Sequence, residues 1–94
     1  MTDDLKSRWS RVVAHLETAL ALLPASPSES AESGRVTQYQ EFVRANELEL
    51  ALDELEGLGQ RNAVHGEFWA RLLGAAEEMG LHAHAIRYRQ RGAE

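Results

Sequence analysis

Glu49, Asp53 and Glu56 stand four and three positions apart in the stretch 39–58, YQEFVRANELELALDELEGL. On a helix that spacing gathers three carboxylates on one side, and clustered oxygens are what hard cations bind. Calcium sites, however, wrap the ion in a loop, and paired-carboxylate bundles carry Glu-x-x-His on two helices, which is absent from this chain. The trio therefore reads as a solvated acidic face, and no metal or other cofactor is expected. Of the four histidines, His15, His65, His82 and His84, the last two would project about 200° apart on a helix and could not share one metal there, though a strand would allow it; they read as surface histidines. No H-E-x-x-H, glycine-rich phosphate loop or nucleophile elbow occurs. Catalysis has no candidate residues, and the chain is expected not to be an enzyme.

Recognition by charge fits these residue types better. The same window holds Glu41, Glu47, Glu49, Asp53, Glu54 and Glu56, opposed only by Arg44. Leu50 falls off the apolar stripe of its helix and among Glu47, Asp53 and Glu54, so it has the anatomy of an interface anchor inside a charged rim. Glu47, Glu49, Leu50, Asp53, Glu54 and Glu56 are therefore the expected partner-binding set, and the partner is expected to be a basic protein.

Helices must position this face. Leu5, Trp9, Val12, Val13, Leu16, Ala19, Leu20 and Leu23 recur at threes and fours, predicting a helix over 3–23 with Thr2 as N-cap and Pro24 as its stop. Residues 24–34 are rich in Ser and Pro and predict a flexible connection. Val36, Tyr39, Phe42 and Val43 mark a second helix at 35–45. The phase then slips by roughly 150° to the stripe Leu48, Ala51, Leu52, Leu55 and Leu58, which predicts a bend at Asn46 and a third helix at 47–57. Asn46 with Glu49 resembles a capping box, and Gly57 and Gly59 are expected to end that helix. Phe68, Trp69, Leu72, Leu73, Ala76 and Met79 predict a fourth at 66–79, with Gly74 on its outer side and Gly80 closing it. A short fifth helix at 82–91 would carry Arg87, Arg89 and Arg91. The aromatic residues Trp9, Tyr39, Phe42 and Trp69 all stand in apolar stripes and are expected in the core. The expectation is a single all-α domain, a small bundle of four or five helices.

Composition agrees. Ninety-four residues with 44% hydrophobic and 27% charged side chains suit one soluble domain, and the absence of cysteine excludes disulfides and thiol-based metal sites. Neither a basic leader nor an apolar run of about eighteen residues occurs, so the chain is expected in the cytoplasm with no membrane contact. The net charge of −5 is concentrated in the middle third, a field that repels nucleic acid and favours basic proteins.

The aromatic-led helix from Tyr39 to Val43, then Asn46-Glu47, Ala51, Leu52 and Leu55, the pair Phe68-Trp69 and the closing Met79-Gly80-Leu81 resemble the MafI-type immunity proteins of bacterial polymorphic toxin systems, over roughly 36–81. The resemblance implies a small helical cytosolic protein that neutralises a toxin, often a basic nuclease, by binding it. It also implies that Glu47 and its acidic neighbours face the partner while Phe68, Trp69 and Met79 serve as scaffold. The alternative expectation is a self-associating module, a homodimer in which the acidic middle of one copy meets the arginine tail of another.

Overall fold

Helical periodicity leads to five helices in the computed structural model, which describes residues 5–30 and 34–93: α1 Leu5–Ala21, α2 Val36–Arg44, α3 Leu48–Arg61, α4 Gly66–Met79 and α5 His82–Ala93. The protein is all-α. Helix α4 is the hub, packing against α1, α5 and α3, while α2 lies on α3. The predicted stripes meet in one core of Val12, Leu16 and Ala19 from α1, Tyr39 from α2, Leu48, Ala51, Leu52, Leu55 and Leu58 from α3, and Phe68, Trp69, Leu72, Ala75 and Ala76 from α4, closed by Ala85 and Tyr88 of α5. Each fully buried leucine or phenylalanine contributes roughly 1.5–3 kcal/mol, which makes this core the main source of stability. The N-cap expected at Thr2 lies outside the described residues.

The bend sits where the phase slip places it, but Asn46 makes it differently. Its φ is +61°, and the bonds Asn46 N–H to Val43 O and Glu47 N–H to Phe42 O are the pair that closes a helix through a left-handed residue. Asn46 thus ends α2 rather than capping α3. The N-cap of α3 is Glu47, with no side-chain cap bond. Gly80, φ +72°, closes α4 with the same pair, to Glu77 O and Ala76 O.

Three further expectations are corrected. Helix α3 does not stop at residue 57 but continues to Arg61, with Gly57 and Gly59 buried inside it. Gly59 is an open seat for the α4 aromatics: a Cβ there would lie 2.4 Å from Phe68 Cε1 and 2.8 Å from Trp69 Cη2. Overpacking of about 1–3 kcal/mol outweighs the ~1 kcal/mol of helix propensity that alanine gains. Gly59→Ala should therefore lower stability by up to about 2 kcal/mol in chemical denaturation, whereas Gly92→Ala, with nothing within 4 Å of its Cβ, should leave it unchanged or raised. Gly74 faces α1, not outward, and the ring of His15 lies against it, 2.7 Å from where a Cβ would stand. Trp9 is not in the core; it is 41% exposed, and Leu5 before it is 58% exposed.

The Ser/Pro connection is tied down where it is described. Ser28 exchanges two bonds with the Asn62 side chain, which also donates to Leu58 O at the end of α3. Glu29 accepts from Val36 N–H. No helix among the described residues is long and apolar enough to cross a membrane.

Candidate functional site

Along α3 the acidic ridge divides in two. Glu47 and Glu49 stand exposed at the elbow between α2 and α3, with Leu50 beside them 44% exposed. One turn further on, the carboxylates hold partners within the fold; the expectation that the whole ridge faces water is corrected for Glu54 and Glu56, whereas the Asp53 side chain stays 44% exposed while it meets His84.

Glu54 is buried, 8% exposed, because the N-terminus of α2 lies over it. Its Oε1 accepts from Gly34 N–H at 3.0 Å and from Arg35 N–H at 2.9 Å. A helix leaves its first amide hydrogens without intrahelical acceptors, and its N-terminus favours negative charge. Arg35, the N-cap of α2, offers no side-chain acceptor; Glu54 from α3 and Glu29 from the connection supply them instead.

Asp53 and Glu56 face α5. His84 Nε2 lies 2.8 Å from Asp53 Oδ1. Arg87 donates to both oxygens of Glu56, at 2.8 and 2.9 Å, and Tyr88 O–H donates to Glu56 Oε1 at 2.9 Å. Burial alone would raise the pKa of Glu56, but the hydrogen bonds from Arg87 and Tyr88, with the charges of Arg87 and His84, hold it below the ordinary carboxylate value. The Tyr88 phenol moves the other way, raised by burial first and then by the Glu56 charge, so it stays a neutral donor. Tyr39 is raised likewise, by burial and then by Glu17 of α1, to which its hydroxyl donates.

Asp53, Glu56 and His84 bring possible ligand atoms within 4.8 Å of one another. Glu49, named with Asp53 and Glu56 from its spacing, is not among them. Since both oxygens of Glu56 already accept from Arg87, the trio acts as a polar clamp holding α5 to α3. The sequence carried a signal for it: on a fifth helix His84, Arg87 and Tyr88 fall at i, i+3 and i+4, one face matched to Asp53 and Glu56 at i and i+3. The remaining tail arginines also have partners within the chain, Arg89 on Glu77 at 3.0 Å and Arg91 over the Trp69 ring at 5.2 Å.

Among the described residues, the carboxylates left without a partner are Glu41, Glu47 and Glu49, all at or beside the elbow; every other one holds an amide, a hydroxyl, a histidine or an arginine. No family model, no curated protein and no solved structure matches this chain.

Proposed function

We propose that this chain is a non-catalytic binding protein, an immunity-type inhibitor acting in the cytoplasm that blocks a basic toxin or nuclease through the acidic elbow between α2 and α3. Support comes chiefly from one observation: the carboxylates without a partner among the described residues, Glu41, Glu47 and Glu49, all stand at or beside that elbow, as does the exposed Leu50. An apolar anchor within a charged rim suits a protein partner, and the rim charges act mainly by steering a basic molecule into contact. The resemblance over 36–81 points to the same elbow. Asp53, Glu54 and Glu56 leave the partner-binding set because their bonds hold the fold together.

The test is the association rate with a purified basic nuclease toxin that the chain captures. Glu47→Lys with Glu49→Lys should slow association on the order of ten-fold at low salt and flatten its salt dependence, while Leu50→Ala should speed dissociation. Kinetics indifferent to all three changes would exclude the elbow as the docking face.

A further inference from the structure

Asp53 belongs to the fold and to the surface at once. Its Oδ1 lies 2.8 Å from His84 Nε2, and part of the side chain stays in water. It follows Leu50 by three positions and Glu49 by four, so it stands one turn along α3 on the same side as both. Asp53 docks no partner itself, but its charge adds to those of Glu41, Glu47 and Glu49 in the field that steers a basic molecule to the elbow.

His84 is the counter-charge. An imidazole takes up its proton between about pH 5 and 8, a range in which ordinary carboxylates, lysines and arginines keep their charge. With a neutral imidazole, Nε2–H donates to Asp53 and the pair carries one negative charge. With a protonated imidazole the same contact remains and the pair carries none. The proton therefore changes the charge beside the elbow without breaking a bond.

The neighbours of His84 do not offset that change. Glu56 of α3 also feels its charge but is held by Arg87 and Tyr88 of α5, and the Tyr88 ring, 6.1 Å from that of His84, stays neutral. On α4, which also packs against α5, Glu67, Glu77 and Glu78 are paired with Arg71, Arg89 and Arg11.

We propose that His84 gates the charge of the elbow through Asp53, so that acidification from neutral pH weakens the hold on a basic partner. This rests on the elbow being the docking face and adds its regulation.

Octalysine, ionised throughout the range, is the probe, and its affinity for the full chain is measured at low salt. From about pH 8 to about pH 5.5 the affinity should fall about two- to five-fold, and added salt should erase the change. His84→Gln keeps an amide donor for Asp53 but takes no proton, so its affinity should stay near the neutral-pH value. His65→Gln, at an exposed position before α4, should respond as the parent does. By linkage, octalysine should also move the His84 titration seen by NMR to lower pH. That measurement uses the unaltered chain, and circular dichroism checks that the variants stay helical. The inference is overturned by a His84 ring that takes no proton between about pH 5 and 8, by a titration that octalysine leaves in place, or by a pH response undiminished in His84→Gln. Glu47→Lys with Glu49→Lys separates the two readings. Octalysine affinity indifferent to that pair would sink the elbow itself, whereas affinity that the pair lowers but His84→Gln leaves equally pH-sensitive would sink only the gate.

Discussion

Replacing Glu54 with alanine is expected to lower the unfolding free energy by about 2–4 kcal/mol, because two amide hydrogens at the start of α2 lose their acceptor together and each unsatisfied one costs about 1–3 kcal/mol. Gly34 is buried beside it, so water cannot readily replace the lost oxygen at that amide. In a domain of this size the melting temperature should fall by roughly 10–25 °C. Glu54→Gln keeps an acceptor and should recover part of the loss. Glu47→Ala and Glu49→Ala, on the same helix but in water, should stay within about 0.5 kcal/mol of the parent. Thermal melts of the four variants would decide the matter: if Glu54→Ala behaved like Glu49→Ala, the buried carboxylate would not be holding α2 in place.

That contrast between two glutamates five residues apart marks where local pattern stops being informative. Periodicity placed the first four helices and the break at Asn46, because a phase slip in an apolar stripe is a property of neighbouring residues alone. The tail has little periodicity, and a short helix at 82–91 is only one option for it. What covers a position on the outside depends on segments far away in the chain. Glu54 is three residues beyond Ala51 and four before Leu58, both buried, so it borders the apolar stripe, but the segment that covers it comes from twenty residues earlier. Trp9 fails the opposite way. It continues the stripe of α1, but at the start of that helix the gap to Leu48 and Leu81 stays open, and Trp9 and Leu5 remain exposed.

Residues with two structural uses account for the other differences. Asparagine suits both an N-cap and a left-handed helix terminus, so Asn46 signalled a boundary without saying which helix it served. Glycine likewise signals either a stop or a close approach. Gly57 and Gly59 read as a stop because nothing within the same helix requires the space that Phe68 and Trp69 of α4 take up over Gly59. The clamp was legible in principle, since His84, Arg87 and Tyr88 share a face once α5 is taken as a helix. For the candidate face the result is a narrowing, from six residues along α3 to Glu47, Glu49 and Leu50 at its start, joined by Glu41 from α2.

Gly34 provides the second large expected effect and tests the same junction from the other side. Its φ is +83°, and a Cβ there would lie 2.8 Å from both Gly57 C and Leu58 N, which are backbone atoms that cannot swing aside. Alanine would add left-handed strain of about 1–2 kcal/mol to a clash relieved only by moving the connection away from α3. That movement would draw the Gly34 and Arg35 amides off Glu54, so Gly34→Ala should cost about 2–4 kcal/mol in total. Because both substitutions then break the same two bonds, the Gly34→Ala, Glu54→Ala double variant should lose less than the two single losses added together, by about 1 kcal/mol or more, where independent sites would agree to within about 0.5 kcal/mol. Denaturant midpoints for the four proteins of the cycle measure this directly. Strict additivity would mean that the glycine is required only for its backbone angle and the carboxylate only for its charge, with no shared latch between α2 and α3.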